Sequence, residues 1–559
     1  MRQTNKIRKG IAWLLCTVLV LGILPMLPQM SMQISAAENA ASVFVDGVEL
    51  HAGGNEYFKN GDTADSGATG TYEDHSAYYD TAGELWLNNL EAHTIKANGN
   101  LTIYVCNNQA TNTNIVTATQ NETAIEVTGY LTIRYGGYGG GTGSLTVESD
   151  GKEAIQAGSG MTVSDGVEVK VRAKSGATAI SSGGVLKIDG IRTKLEAAGD
   201  GSTGKGIFAQ QSIYVKNSAV LTAFGGAAAY ESPSGIDKSG YGYEDYNVFT
   251  GDAAPGTQAA KDTVLNGYKY IRIEPTGVAN VKTLTELQAA AQNQYISLIN
   301  VMNDITITDT VYVRRAVTIQ SPDASNVSKL IRGKSHTDVI LDFDGANGHK
   351  SDVVTLKNII VDGNKDGNTQ TASPALKSKS ILVNLESGTV IENNHAKEGA
   401  AIYVNHYSTV TMKEGSEIRN NVSESDGTVY VIGNGGYFEM AGGTISGNTV
   451  AGNGGGIYEF GGGSARMTGG TISGNTAKGN GGGVYNVERL YGGTITGNST
   501  SGNGGGVFVP VSGACLLNSD INISGNYKDG IWSTTEQRYT TGTANNLYLS
   551  DFGSNVYVE

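Results

Sequence analysis

Isoleucine and asparagine recur at a regular interval, among polar and glycine positions, through the second half of the chain. Each isoleucine is followed three residues later by an asparagine, and the asparagines lie 27, 27, 27, 23 and 28 residues apart. The pairs are Ile391 with Asn394, Ile418 with Asn421, Ile445 with Asn448, Ile472 with Asn475, Ile495 with Asn498, and Ile523 with Asn526. A repeat of fixed length predicts a solenoid, in which each repeat buries its apolar face by stacking on its neighbours.

One repeat illustrates how this pattern maps onto strands. Ile472 is predicted to point inward and its neighbours Thr471 and Ser473 outward, because side chains alternate along a strand. The pair Gly474-Asn475 is predicted to turn the corner, with the asparagine adopting left-handed backbone and bonding to the next turn of the coil. The repeats therefore predict a coil of short stacked strands.

The repeated asparagines and glycine runs are interpreted as structural rather than as a row of ligands. Stacked amides can bond to one another and to the backbone along a solenoid. The run Gly481-Gly482-Gly483 permits close approach of neighbouring backbones before Val484 points inward again. No aspartate recurs within these units, so they differ from the calcium-binding nonapeptide repeat.

The first half of the chain carries a less regular form of the same pattern. Period-two runs, interrupted by glycine, asparagine and aspartate, predict short strands at 85–87, 101–103, 131–133, 145–147 and 185–188. A small residue followed by isoleucine recurs at 124–125, 154–155, 179–180 and 206–207. Residues 38–275 are therefore predicted to form a first coiled region.

The boundary between the two regions is predicted at residues 275–277, where Pro-Thr-Gly suits a linker. Beyond it, Thr283 and Glu286 have the spacing of a capping box, and apolar residues follow on one helical face. We expect a short helix that covers the open end of the second coil, residues 276–559.

The first 37 residues have the organisation of an export signal. Basic residues precede an apolar stretch at 11–24, and a small-residue cleavage site follows at 35–37. The apolar stretch is shorter than the ~20 residues that a spanning helix needs. The mature chain is therefore expected to be secreted or held at the cell surface, without inserting into a membrane. Because the strand pattern continues to residue 559, further chain or non-covalent retention is expected.

Charge and composition narrow the possible partners. The formal net charge is −14, and the residues after 37 carry 35 Lys and Arg against 53 Asp and Glu, or −18. An acidic surface argues against nucleic acid and anionic membranes as partners. The 79 glycines beside only 8 prolines and 16% charged residues suit many turns between stacked strands rather than disorder.

Several of these segments carry a family resemblance. The segments 284–287, 305–307 and 356–364 resemble the opening of pectate-lyase-like parallel β-helices, and the Gly-Gly-Thr-Ile-x-Gly-Asn units resemble repeats of surface proteins of Gram-positive bacteria. Residues 38–275 resemble β-helical carbohydrate-binding domains of those bacteria. The resemblance implies an all-β protein built as a right-handed parallel β-helix, with two β-helical regions and a capping helix before the second.

A candidate calcium loop follows the strand at 359–361. Asp362, Asn364 and Asp366 occupy alternate positions with a glycine after them, which is the first half of a calcium-binding pattern. The twelfth position is Ser373, where that pattern has a bidentate glutamate. The alternative is an acidic corner of the coil. Calcium is the one cofactor that the sequence suggests.

Candidate catalytic residues come only from the resemblance. β-Helix lyases use calcium-bound carboxylates and a basic residue, and β-helix hydrolases use clustered aspartates. The paired aspartates and the Arg-Ile-Lys triplet of the hydrolases are missing from this sequence. Arg314, Arg315, Asp342 and Asp344 remain as candidates, and the alternative for them is a solvated strand face.

Candidate ligand-binding residues come from the excess of tyrosine, with 28 Tyr against 10 Phe and 3 Trp. Exposed aromatic rings in polar, glycine-rich segments can stack on the faces of sugars. The candidates are Tyr78, Tyr79, Trp86, Tyr241, Tyr243 and Tyr246. The alternative is that these rings cover the edges of the coil.

The leading hypothesis is a non-catalytic, adhesin-like module that binds a polysaccharide or a host-surface glycan. It rests on the export signal, the solenoid and the tyrosines. The first alternative is a polysaccharide lyase or glycoside hydrolase acting on pectin-like chains. The second is a structural spacer within a larger surface protein.

Overall fold

The computed structural model describes residues 39–558 except 64–74, 107–112, 138–142, 243, 346–350, 369, 434, 511–513, 534–537, 545 and 550–554. The signal peptide predicted at residues 1–37 lies outside this described part. Within the described part, short strands stack into a parallel β-solenoid, and the one α-helix is α1, Leu284–Gln292. The all-β, β-helical fold predicted from the sequence is confirmed.

The first coil has three faces. Face A consists of Val48–His51, Ser42–Val45, Ile95–Ala97, Ile125–Val127, Ile155–Ala157, Ile180–Ser182, Lys205–Ala209 and Ala228–Glu231. Face B consists of Glu56–Phe58, Ala77–Tyr79, Glu84–Leu87, Leu101–Val105, Tyr130–Tyr135, Gly160–Ser164, Leu186–Asp189, Ile213–Lys216 and Ile236–Asp237. At the outer end of the first coil, the last strands of faces A and B pair antiparallel, which closes the edge of the coil.

Face C is shared by the two coils. In the first coil it consists of Glu91–Ala92, Asn114–Gln120, Ser144–Asp150, Glu168–Lys174, Lys194–Gly199 and Val220–Gly225, followed by Glu244–Gly251, Thr257–Ala259 and Tyr270–Val281. A 3-10 turn, Ser239–Tyr241, precedes Glu244–Gly251. In the second coil face C continues through Leu298–Val301, Val317–Gln320, Val353–Lys357, Leu382–Leu385, Thr409–Met412, Tyr437–Met440, Ser464–Met467, Arg489–Leu490, Ala514–Leu517 and Asn555–Val558.

Three further faces belong to the second coil. Face D consists of Ile305–Ile307, Lys329–Arg332, Ile360–Asp362, Val390–Glu392, Glu417–Arg419, Thr444–Ser446, Thr471–Ser473, Gly493–Thr496 and Ile521–Ser524. Face E consists of Val311–Val313, Leu341–Asp344, Leu376–Lys379, Ile402–Asn405, Val429–Ile432, Ile457–Phe460, Val484–Tyr485, Val507–Val509 and Leu547–Leu549. Face F consists of His395–Ala396, Val422–Ser423, Thr449–Val450, Thr476–Ala477, Ser499–Thr500, Tyr527–Ser533 and Arg538–Ala544.

A single strand, Tyr270–Val281, joins the two coils. It pairs antiparallel with Val220–Gly225 and parallel with Leu298–Val301. The linker predicted at residues 275–277 is therefore wrong, because these residues lie inside the strand. The pairing is irregular beside Pro275, which accommodates a residue without an N–H.

The repeated apolar positions form the core. Ile125, Ile155, Ile180 and Ile207 stack in register in the first coil, as do the six isoleucines of the second coil on face D. Ile472 is fully buried, whereas Thr471 and Ser473 are half-exposed. The predicted inward and outward register is confirmed.

The six asparagines form a buried amide ladder. Their backbone N–H groups donate to the Oδ1 of the asparagine one repeat further on, over 2.9 to 3.1 Å, and the last donates to Asn546 at 3.0 Å. From Asn421 onward, each Nδ2 also donates to an isoleucine carbonyl one repeat back. The structural interpretation of the asparagines is confirmed.

The left-handed residue of each corner is the one before the ladder asparagine. Gly474 has a φ of 64°, and Asn393 and Asn420 adopt the same region at the equivalent position. The prediction that Asn475 itself adopts left-handed backbone is wrong. Its side chain is held inside by the ladder, so the preceding residue makes the turn.

Charged side chains stand at the ends of the amide ladders. Arg332 Nε donates to the Oδ1 of Asn394, at 3.1 Å, where the buried ladder has its free acceptor. A second ladder runs through Asn453, Asn480 and Asn503. Asp426 accepts from its first amide, and Lys528 donates to its last. Each ladder thus has a cation at its acceptor end, which stabilises the aligned amide dipoles.

Helix α1 is capped at both ends. The capping box predicted from the sequence is confirmed, since Thr283 accepts from Glu286 N at 3.3 Å and Glu286 accepts from Thr283 N at 3.1 Å. At the other end, Arg315 donates to the carbonyls of Ala290 at 2.8 Å and Ala291 at 3.1 Å. The helix packs on the first strands of the second coil.

Glu459 is an inward-facing carboxyl in the second coil, and it makes stability depend on pH. It accepts backbone N–H bonds from Ala465 and Glu488, at 2.7 and 3.3 Å. Burial raises the pKa of Glu459 from its ordinary 4.5 to about 8, against these bonds and the charge of Arg489. As pH rises from about 4.5 to 8, the unfolded chain ionises first, so the native protein loses stability over that range.

We expect Glu459→Gln to remove this loss. The variant should exceed the native protein by a few kcal/mol at pH 8, and the difference should vanish near pH 4. Urea denaturation at pH 4, 6 and 8 measures it. A difference that stays constant over this range would contradict the assignment.

Candidate functional site

The most regular outward-facing feature is a row of aromatic side chains on face E. We call Tyr403, Tyr430, Tyr458 and Tyr485 the tyrosine row; Phe508 continues it. The ring centroids are 5.3, 5.1, 4.9 and 5.1 Å apart along the row. The residues are paired in register on adjacent strands, so the row repeats once per turn of the coil.

Glycines that lie just before the strands of face E make room for this row. A Cβ on Gly427 or Gly454 would lie 2.9 or 2.7 Å from the Cβ of Tyr458. Both glycines also have a positive φ, which other residues rarely adopt. The repeated Gly-Gly-Gly-[Ile/Val]-[Tyr/Phe] sequence therefore encodes an inward aliphatic side chain, an outward ring and a corner that fits against the ring.

Stacking covers the ring faces, and carboxylates lie near the row. Tyr430 and Tyr458 are only 7% and 6% exposed. Burial, with the charge of Glu398, raises the pKa of Tyr430 to about 12. Burial and Asp426 likewise raise the pKa of Tyr485. The row therefore presents hydrogen-bonding hydroxyls and nearby acceptors rather than open aromatic faces.

The earlier turns of face E place charged residues on the same line. Tyr312, Asp342, Lys377 and Tyr403 are consecutive partners in register. Burial raises the pKa of Asp342, and the charges of Lys377 and Arg314 oppose that rise. Asp344 lies 3.7 Å from Lys379. Of the catalytic candidates, Asp344 and Arg314 both lie near enough to Asp342 for their charges to change its pKa, Asp344 raising it and Arg314 lowering it.

Arg315 does not belong to such a site. Its guanidinium is buried and bonded to the carbonyls at the end of helix α1 and to those of Ile296 and Ala316. Arg315 thus has a structural role, because helix termini need donors for their last carbonyls and this side chain supplies them.

The candidate calcium residues are committed to other partners. Asp362 lies 3.4 Å from Lys329 Nζ and accepts from Asn364 N at 2.9 Å. Asn364 donates its amide to the Arg332 carbonyl at 3.0 Å, and Asp366 is exposed. Among the described residues, no group of three His, Cys, Asp or Glu could hold a metal ion. These bonds belong to the corner of the coil itself, and calcium binding there stays a prediction.

Two of the aromatic candidates belong to the core. Tyr79 is fully buried and donates to the Ala40 carbonyl at 2.6 Å. Tyr241 is also buried, and it donates to the Ala219 carbonyl at 2.5 Å. Neither ring is exposed as the sequence predicted, because strand alternation turns Tyr79 inward and Tyr241 is buried at the end of the 3-10 turn. Tyr246 stacks on Tyr241 and is half-exposed, and Tyr243 lies outside the described residues.

Tyr78 and Trp86 form part of a second aromatic stack, on face B. Trp86 lies between Tyr78 and Tyr104, at 5.8 and 4.1 Å, with nearly parallel planes. Arg134 covers the outer face of Tyr104 at 5.3 Å. Trp86 also donates to Asp80 at 2.9 Å. These rings are half-exposed and, like the tyrosine row, cover one another's faces.

Sequence reasoning missed the tyrosine row. The signal was present for Tyr458, Tyr485 and Phe508, each of which follows a glycine triplet and one aliphatic residue. What was missing was the stacking of these rings, which depends on the pairing of distant strands.

The chain can now be compared with known proteins. Residues 278–400 match the family model described as a putative pectate lyase-like adhesive domain. No curated protein matches the chain, and no solved structure does. In the part of the chain that the structure describes, no helix has both the length and the hydropathy to cross a membrane. The resemblance to pectate-lyase-like β-helices is confirmed, and the matched segment covers the first turns of the second coil.

Proposed function

We propose that this protein is a secreted or surface-held, non-catalytic adhesin that binds an extended polysaccharide along the tyrosine row. The observation that carries the proposal is the row itself, a line of tyrosine rings whose centroids repeat about every 5 Å along the coil. The match to an adhesive domain in the same coil supports it.

The chemistry of the row suits a chain of sugars. Tyrosine hydroxyls both donate and accept hydrogen bonds, and the carboxylates of Glu398 and Asp426 accept from sugar hydroxyls. A periodic surface pairs best with a periodic ligand that lies along it. Because neighbouring rings cover one another's faces, the recognition mode is hydrogen bonding at the ring edges rather than the face stacking expected from composition.

We expect the double variant Tyr430→Phe/Tyr458→Phe to bind polysaccharide at least about tenfold more weakly, because two hydroxyls are lost at ~1 kcal/mol each. The fold should remain intact, since Phe508 occupies the same register naturally. Retention of residues 38–559 on a panel of plant, mucin and cell-wall polysaccharides measures it. Tyr214→Phe, on face B of the first coil, is the matched control.

Two outcomes would count against the proposal. If a folded double variant is retained as strongly as the native protein, the binding site is not the tyrosine row. If the native protein is retained by no polysaccharide of the panel, the glycan partner itself is wrong.

A polysaccharide lyase acting on uronate chains is the second candidate, and Asp342 favours it. A half-buried carboxylate near Arg314 and Lys377 could take a proton beside a uronate carboxyl while the cations neutralise the charge. The same panel distinguishes the two functions if released unsaturated ends are scored. Release that is lost in Asp342→Asn would establish the lyase.

A further inference from the structure

A cleft of about 530 Å³ opens where the two coils meet. Its size lies within the ~300–1,000 Å³ typical of small-molecule sites. The first coil contributes Ile191, and the second contributes the end of helix α1 and the first strand of face E. The lining residues are Ile191, Ala291, Gln292, Gln294, Tyr312, Arg314 and Arg315.

The two coils are held together beside this cleft. Asn293 donates its amide to Ser218 at 3.2 Å and to Glu244 at 3.1 Å, and all three are buried. Arg192, next to Ile191, donates to the hydroxyl of Tyr295. These bonds cross from one coil to the other, so the walls of the cleft are fixed relative to each other.

Two arginines, Arg314 in the wall of the cleft and Arg192 outside its lining, differ from most others on the surface. The Arg314 guanidinium lies 5.4 Å from the centre of the Tyr312 ring, and Arg192 lies 5.7 Å from that of Tyr295. Neither arginine forms an ion pair with a carboxylate among the described residues, although the charge of Arg314 acts to lower the pKa of Asp342. By contrast, Arg134, Arg172, Arg419 and Arg466 pair with Asp165, Asp200, Glu392 and Glu439.

A second, larger groove on face C of the first coil differs from the junction cleft because its charged side chains pair with one another. It measures about 920 Å³ and is lined by lysine, arginine, glutamate and aspartate side chains. These charges satisfy one another, as in the pairs of Arg172 with Asp200 at 2.7 Å and Lys170 with Glu168 at 3.2 Å. The junction cleft, on a strongly acidic chain, instead leaves the Arg314 guanidinium available to an external anion.

The other lining residues suit the body of a sugar. Tyr312 is 41% exposed and Ile191 is 37% exposed, so each offers apolar surface to a ring. The side-chain amides of Gln292 and Gln294 are exposed and can both donate to and accept from hydroxyls. Guanidinium groups bind carboxylates through paired, charge-assisted hydrogen bonds.

We propose that the junction cleft binds a carboxylate-bearing sugar, with Arg314 holding the carboxylate and Gln292 holding the hydroxyls. This site is separate from the tyrosine row and does not rest on it. A bare phosphate or sulfate would use the arginine alone, so the glutamines and the apolar walls favour an acidic sugar as the occupant.

Titration calorimetry of residues 38–559 with a short oligomer of glucuronic acid tests the proposal, alongside a glucose oligomer of equal length and inorganic phosphate. We expect the acidic oligomer to bind at least tenfold more tightly than the neutral one, and less tightly as salt rises. Arg314→Gln should abolish that preference. Arg172→Gln, which removes a paired surface arginine, should leave it unchanged.

Two further variants separate the possible explanations. Gln292→Ala should weaken binding of the acidic oligomer and leave phosphate unaffected. Tyr430→Phe/Tyr458→Phe should bind the acidic oligomer normally, which keeps this result distinct from failure of the tyrosine row. Equal affinity for the two oligomers, unchanged binding by Arg314→Gln, or phosphate binding as tightly as the acidic oligomer would each overturn the proposal.

Discussion

Replacing Ile472 by aspartate is expected to lower the free energy of unfolding by at least about 4 kcal/mol. Ile472 is fully buried and stacks in register between Ile445 and Ile495. A carboxylate there would have the apolar side chains of Ile445 and Ile495 on either side of it. The carboxyl would either remain charged without a partner or become protonated at a cost in free energy.

Thr471→Asp is the matched control, because Thr471 precedes Ile472 on the same strand and faces outward. We expect its stability to change by less than about 0.5 kcal/mol. Thermal and urea unfolding of the two variants measures the difference. Equal losses in the two variants would show that the register of face D is wrong, since a shift of one residue exchanges the two faces of a strand.

Replacing Arg332 by methionine is expected to cost about 3–5 kcal/mol, because it removes the donors for several buried acceptors. Arg332 is only 1% exposed. It donates to Asn394 Oδ1 at 3.1 Å, to the carbonyls of Ser373 and Pro374 at 3.0 and 3.3 Å, and also to that of Asp338. Burial lowers its pKa to about 10, so the guanidinium still carries its charge at neutral pH.

Two comparisons make this test specific. Arg332→Lys should lose an intermediate amount, because an ammonium keeps the charge but cannot reach all of these acceptors. Arg172→Met removes an exposed, ion-paired arginine and should cost no more than about 1 kcal/mol. If Arg332→Met is as stable as Arg172→Met in urea denaturation, Arg332 does not support the end of the asparagine ladder.

The two proposed binding surfaces follow from one property of the coil. Every turn returns the chain to the same faces, so a residue type repeated in sequence becomes a row in space. Where the repeats are regular, the row consists of tyrosines. At the start of the second coil, beside its junction with the first, the same positions on face E are occupied by Tyr312, Asp342 and Lys377. A polymer that lies along face E would therefore meet hydroxyls at one end and charged groups at the other.

The sequence by itself determined the parts of the structure that repeat or that act locally. The isoleucine stack and the asparagine ladder follow from alternation along a strand and a period of about 27 residues. The capping box of helix α1 follows from Thr283 and Glu286, which lie within one turn of each other. The first feature is visible as a repeat along the chain, and the second is visible within a few neighbouring residues.

Only the tertiary structure decided which residues from distant windows meet. Arg332 contacts Asn394 across 62 residues, and Arg315 reaches the end of a helix 25 residues earlier. Residues 275–277 have the composition of a linker, but they lie inside a strand that pairs with the first coil and with the second. Tyr79 and Tyr241 have the composition of binding residues, but their hydroxyls find buried carbonyls. The stacking of distant turns determines these contacts, and the sequence of one turn does not show which residues of the other turns will lie beside it.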